Sequence, residues 1–126
     1  MGYLLDTHTM IWYFDRDVKL PARITEIIDN PENSIFICSA SLWEIAIKVS
    51  INKLNLPFSE LLNKVRVSRF SLLQPEIQYL SKVIELPQIH KDPFDRLLIA
   101  MALVEKMAIL TADENIHRYD AVKWIW

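Results

Sequence analysis

Four acidic residues, Asp6, Glu44, Asp95 and Asp113, stand where apolar segments give way to turns or to new helices. Asp6 closes the run Gly2-Tyr3-Leu4-Leu5, and Glu44 lies just past Ser34-Ile35-Phe36-Ile37-Cys38. Asp113 follows Met107-Ala108-Ile109-Leu110-Thr111-Ala112, and Asp95 opens the long apolar stretch before it. In an open parallel sheet, strand ends of this kind gather on one edge, where ligands bind. Four acids gathered there would form an all-oxygen site for Mg²⁺ or Mn²⁺, which suits metal-assisted hydrolysis of phosphodiesters. Two carboxylates about 5 Å apart repel by roughly 3 kcal/mol at an effective dielectric near 20. Such a cluster therefore needs protons, basic partners or a metal ion to offset that cost.

Each acid also has a plain structural reading. Ser41-Leu42-Trp43-Glu44 matches a capping box, and Asp92-Pro93-Phe94-Asp95 matches an N-cap, a Pro at N1 and an acid at N3. Asp6 and Asp113 would cap the helices that follow them, where negative charge suits the helix dipole. Caps need only be local, however, whereas these four fall where four different segments should converge. Convergence favours the cation site.

The elements that must position them are legible in the pattern. Tyr3–Asp6, Ser34–Cys38, Arg69–Leu73 (weaker), Ala108–Thr111 and Ala121–Trp126 read as strands. Helices are expected over roughly 8–14, from Leu20-Pro21 to Asn30-Pro31, over Ser41 to about Ile51, Phe58 to about Val65 and Glu76 to about Ile84. In the last of these, Ile77, Leu80 and Ile84 would face inward. Leu86–Lys91 reads as a loop. The clearest helix begins at Asp92-Pro93 and runs to about Lys106; it is apolar nearly all round and should be central. A short helical turn separates the last two strands. Strands alternating with helices predict a parallel α/β sheet covered on both faces.

Composition narrows the function. A chain of 126 residues is one domain by size, with a core large enough to need no staple. A single glycine excludes Gly-rich phosphate loops. Cys38 has no partner for a disulfide and should be a buried thiol; one cysteine and three scattered histidines are too few for a zinc cage. A net charge of −2 argues mildly against a dedicated nucleic-acid binding module, but not against a nuclease whose metals offset its acids. No signal peptide or spanning segment is expected: Asp6 interrupts the first apolar run, and Leu97–Val104 is too short to cross a bilayer. A cytoplasmic protein is the default.

Other residues carry weaker signals. Asp92 reads first as an N-cap and second as a metal ligand. Thr7 and Thr111 read equally as donors to carboxylates or as turn formers. Arg96 has two readings of equal weight, steadying an acid or phosphate and a solvated or structural role; Lys48 reads as the helix-face partner of Glu44. His8, His90 and His117 lack ligand spacing and read as surface residues. Trp12, Trp43, Trp124 and Trp126 read as core or dimer contacts.

Four segments together resemble the PIN-domain family, and within it the VapC-type toxins of bacterial toxin–antitoxin pairs. They are Leu5-Asp6-Thr7-His8-Thr9, Ser39 to Lys48, His90 to Ala100 and Leu110-Thr111-Ala112-Asp113, in order over essentially the whole chain. The resemblance implies an α/β/α sandwich around a parallel sheet of strand order 3-2-1-4-5. It also implies an Mg²⁺- or Mn²⁺-dependent endoribonuclease that arrests translation, a cognate antitoxin partner, and commonly a homodimer. By position, Asp6, Glu44 and Asp95 match the family's acids, and Asp113 matches a fourth whose contribution varies. Relatives often carry Gly where Asn52 stands; Asn tolerates the left-handed conformation. Two rivals remain. A phospho-aspartyl enzyme usually shows Asp-x-Asp after the first strand, but here that place is His8. A catalytically silent RNA- or protein-binding module is disfavoured by the intact acids.

Overall fold

Short β-branched and aromatic runs become strands, and Leu/Ala-rich amphipathic runs become the helices that cover them. The computed structural model describes residues 1–126 and runs β1 (Gly2–Leu5), α1 (Thr7–Asp15), α2 (Ala22–Asp29), β2 (Ser34–Cys38) and α3 (Ser39–Ser50). It continues through α4 (Phe58–Val67), β3 (Ser71–Leu73), α5 (Ile77–Glu85), α6 (Pro93–Glu105), β4 (Ala108–Leu110), α7 (Glu114–His117) and β5 (Trp124–Ile125). All five strands are parallel, in the order β3-β2-β1-β4-β5, as the family resemblance implied.

The register explains how distant acids meet. Leu5, the last residue of β1, pairs with Ile37 on one side and Leu110 on the other. The chain therefore leaves β1 and β4 at one level, with Asp6 and Thr111 side by side, and leaves β2 one residue later, after Cys38. Alternation along the strands builds a core on each face. Leu4, Cys38 and Ile109 pack with α6 residues Leu98, Ile99 and Met101, while Leu5, Ile37 and Leu110 pack with Met10, Ile24, Ile28 and Leu61 of α1, α2 and α4. Helix α3 lies across the boundary, giving Ala40 to the first core and Ile45 to the second.

Helix α6 is central, as its composition predicts: Leu98 through Ala102 are all buried. Asp92 caps it, Pro93 opens it, and Lys106 ends it in the left-handed region at φ 57°. Arg16 (φ 53°) and Asn52 (φ 59°) adopt the same conformation after α1 and α3. The Asn52 expectation holds, and no glycine takes such a turn. No helix is long and apolar enough to cross a membrane.

Several expectations are corrected. Helix α3 begins at Ser39, with Cys38 at the N-cap position, so Ser41 lies inside the first turn and the Ser41–Glu44 capping box does not form. β2 has the expected bounds, β3, β4 and β5 are shorter than expected, and Asp6 belongs to the cap of α1 rather than to β1. The face of α5 is the larger correction. Ile77, Leu80 and Ile84 point outward, 81%, 50% and 83% exposed, because Tyr79 and Val83 turn toward α6 instead. Two apolar stripes share this short helix. Tyr79 reaches Glu105 of α6 at 3.1 Å, and the Val83 carbonyl receives Arg96 at 3.3 Å, which fixes the stripe that is buried. Trp43 and Trp124 are not core residues, at 63% and 41% exposed, whereas Trp12 and Trp126 pack on each other against the second core.

These two isoleucine environments differ measurably. Ile99→Ala should cost about 2–5 kcal/mol through cavity formation, and Ile84→Ala should stay within about 0.5 kcal/mol of the parent. Urea unfolding of both variants checks the orientation of α5; equal costs would mean that the helix buries its other stripe.

Candidate active site

The level exits from the sheet place the cap of one helix beside the body of another. Asp6 follows β1 and caps α1, its Oδ1 accepting from the Thr9 amide at 2.9 Å. Its Oδ2 accepts a hydrogen bond from the Thr111 hydroxyl, just past β4. Thr9 ties α1 to the same strand, donating its hydroxyl to the Leu110 carbonyl at 2.8 Å. Burial raises the Asp6 carboxyl above its usual range, and the hydrogen bonds from Thr111 and Thr9 pull partly against that shift.

Glu44 projects from the second turn of α3 and is buried. Its Oε1 accepts from the Thr7 hydroxyl at 2.7 Å, and its Oε2 pairs with Lys48 at 3.0 Å one turn further along. Asp113 caps α7, its Oδ1 accepting from the amides of Asn115 and Ile116. The Asp113 amide donates to the Thr111 hydroxyl at 3.0 Å, so one threonine touches both Asp6 and Asp113. Thr7 and Thr111 are thus donors at the site.

Asp95 stands in the first turn of α6. Its carboxyl is pushed up to about 8, first by burial and then by the charges of Asp92, Asp113, Asp6 and Glu44. Asp95 therefore feels the other three acids expected from the sequence, and Asp92 as well. The structural reading of Asp92 also holds: its Oδ1 accepts from the amides of Phe94 and Asp95 at 2.9 and 3.1 Å. Capping and ligation do not compete here. Asp6, Asp92 and Asp113 each cap through Oδ1; the second oxygen of Asp6 accepts from Thr111, and those of Asp92 and Asp113 receive no hydrogen bond from the protein.

Two histidine expectations fail. His90 is buried to 10% side-chain exposure, with Nε2 3.2 Å from Asp95 Oδ2 and Nδ1 2.8 Å from the Tyr119 hydroxyl. His117 is half-buried, stacked on Trp124 with its Nε2 2.8 Å from the Thr111 carbonyl oxygen. His8 is exposed, as expected. Arg96 resolves to a structural role: it is buried, and its guanidinium donates to the carbonyls of Val83, Leu86 and Pro87 and to the Tyr119 hydroxyl. Tyr119 had no signal in the sequence, since its partners lie more than twenty residues away.

The donor set is carboxylate oxygen throughout, and burial together with the neighbouring negative charges pushes the Asp95 carboxyl up. Both properties fit a hard divalent cation. The side chains are not preset as a cage, because no three acidic, His or Cys groups stand together in ion-holding geometry. Binding would require side-chain rotations that bring their oxygens together.

The sequence model of the PIN domain family matches residues 3–122. No curated protein matches the chain. Among solved structures, it is similar to a chain of VapBC2 from Rickettsia felis bound to a DNA fragment from their promoter. That likeness has a TM-score of 0.75 and 18% identity, covering 99% of this chain and 98% of the other. It is similar to a chain of DNA-bound VapBC from Salmonella typhimurium, with TM-score 0.71, 20% identity and coverage of 99% and 97%. A chain of a toxin–antitoxin complex from Klebsiella pneumoniae matches with TM-score 0.61, 18% identity and coverage of 95% and 94%. At such identities these likenesses carry the fold alone.

The raised Asp95 carboxyl has a consequence for stability. With a folded value of about 8 against an ordinary value of 3.8, the folded metal-free protein keeps a proton that the unfolded chain has released. Stability from this group is therefore present at low pH and falls as pH rises between those values, levelling off above about 8. The melting temperature of the metal-free protein should drop across that window more steeply than that of Asp95→Asn. Parallel profiles would show that Asp95 ionises freely.

Proposed function

The chain belongs to the PIN domain family, and from that premise we propose that it is a metal-dependent endoribonuclease, the toxin of a toxin–antitoxin pair. It hydrolyses RNA phosphodiester bonds, inhibits translation and growth, and is neutralised by a cognate antitoxin. One observation carries the reading: the parallel register brings the chain exits after β1 and β4 level with each other, and there Asp6, Glu44, Asp92 and Asp113 bear on the Asp95 carboxyl, which burial and then their charges push up. A divalent cation entering the site would favour its ionised form. The similar chains from Rickettsia felis, Salmonella typhimurium and Klebsiella pneumoniae occur in VapBC or toxin–antitoxin complexes, which supports the toxin assignment and the antitoxin partner. A homodimer and a cytoplasmic location complete the proposal.

Asp6, Glu44 and Asp95 would hold Mg²⁺ or Mn²⁺, with Asp113 supporting the same ion or a second one. A bound divalent ion supplies Lewis-acid charge that favours ionisation of the attacking water and offsets charge developing on the phosphate. The chain's own residues prepare for this. Thr7 and Thr111 orient Glu44 and Asp6 through their hydroxyls. Lys48 offsets the charge of Glu44 while its side chain stays 40% exposed, within reach of an incoming phosphate. The N-termini of α1, α3 and α6 add positive potential near the sheet exits.

An isosteric series tests the proposal. Asn caps as well as Asp, and Glu44 and Asp95 cap no helix, so the near-isosteric Asp6→Asn, Glu44→Gln and Asp95→Asn should fold normally and lose metal-dependent cleavage of RNA; substantial activity in all three would end the nuclease reading. Independently, Mg²⁺ at a hundredfold excess over Kd should stabilise the parent by about 2.7 kcal/mol, with a smaller gain in Asp95→Asn, read as the shift in melting temperature.

A further inference from the structure

Against Asp95 lies a run of hydrogen bonds that helix capping does not require. The first-turn amides of α6 are already served by Asp92, so Asp95 has no capping task. Instead its Oδ2 faces His90 Nε2 at 3.2 Å, His90 Nδ1 faces the Tyr119 hydroxyl at 2.8 Å, and Arg96 Nη1 faces that hydroxyl at 3.0 Å. Asp95 Oδ1 receives no hydrogen bond from the protein.

A guanidinium only donates, so Arg96 donates to the Tyr119 oxygen. In the tautomer with its proton on Nε2, the His90 ring accepts the Tyr119 proton at Nδ1 and donates from Nε2 to Asp95 Oδ2 once a bound cation has displaced the carboxyl proton. The far end of the run is immobile: Arg96 is anchored by the carbonyls of Val83, Leu86 and Pro87, and Tyr119 is 2% exposed. The His90 ring meets the Tyr119 ring edge-on, with centroids 5.4 Å apart and an interplanar angle of 71°, which fixes its plane.

We propose that His90, held by Tyr119 and Arg96, is a positioning residue that fixes Asp95 through Oδ2 and keeps Oδ1 open to the divalent cation. The inference rests on the cation site proposed above and extends it to three residues that touch neither ion nor substrate. The chemistry of the donor matters. A Lys or Arg at this place would cancel the charge of Asp95 and compete with the cation, whereas a neutral N–H orients the carboxylate and leaves its charge available. Groups that hydrogen-bond a ligating carboxylate in this way contribute about 10–100-fold to metal affinity.

Calorimetric titration of the full chain with Mn²⁺ alone tests this, since it reads affinity and stoichiometry separately. His90→Ala should weaken binding about 10–100-fold at unchanged stoichiometry. Tyr119→Phe keeps the imidazole and touches no carboxylate, yet should weaken binding in the same direction by a smaller factor. His90→Gln, whose amide can still donate to Oδ2, should recover part of the loss. A merely structural defect would lower the stoichiometry through unfolded protein and leave the affinity of the folded fraction intact; that result overturns the positioning role. So does parent-like affinity in both His90→Ala and Tyr119→Phe. If those two bind normally while Asp95→Asn does not, only the positioning role falls. If the parent itself takes up no Mn²⁺, the cation site falls with it.

Discussion

Mutual repulsion among buried carboxylates is the constraint around which this fold is arranged. At a separation of about 5 Å such repulsion would reach roughly 3 kcal/mol per pair, large against a total stability of about 5–15 kcal/mol. The protein tolerates it because the acids are fixed by the most rigid part of the molecule. Leu5, Ile37 and Leu110 lie level in adjacent strands, so the positions of Asp6 and Thr111 follow from backbone register rather than from loop packing. Hydroxyls from Thr7 and Thr111, the ammonium of Lys48 and the imidazole of His90 then distribute the negative charge without abolishing it.

The two oxygens of a carboxylate allow structural and chemical duties to coexist. Asp6 closes the first turn of α1 with one oxygen and meets Thr111 with the other. Asp92 and Asp113 cap their helices in the same one-sided manner. A site built from caps gains a geometric advantage: the helix amides that each cap serves hold the carboxylate in place before any ligand arrives. Its orientation is thus set by secondary structure.

Much of this arrangement was legible in residue order. Strand β2 declares itself by Ile35, Phe36 and Ile37, α6 by its unbroken Leu/Ala/Met run, and the cap of α6 by Asp92-Pro93. The burial of Cys38 and the pairing of Lys48 with Glu44 also follow from spacing alone. Local pattern failed where two answers fit equally well or where the partner was remote. Helix α5 offers two apolar stripes, and only its contact with α6 selects Tyr79 and Val83 over Ile77 and Ile84. The Ser41–Glu44 spacing fits a cap, but α3 starts early, directly out of β2. His90 looks like a surface residue until the fold brings Tyr119 against it from twenty-nine positions away.

Arg16, Asn52 and Lys106 reverse the chain after their helices in a backbone region that glycine enters freely and side-chain-bearing residues enter at a cost. With a single glycine in 126 residues, the disordered form of this polypeptide samples a narrower range of conformations than a glycine-rich chain of equal length. Less configurational freedom is surrendered when it collapses to the native state. The local torsional penalty at three helix ends, each at the far end of its helix from the acids, is in this way set against a smaller entropic deficit spread along the entire backbone.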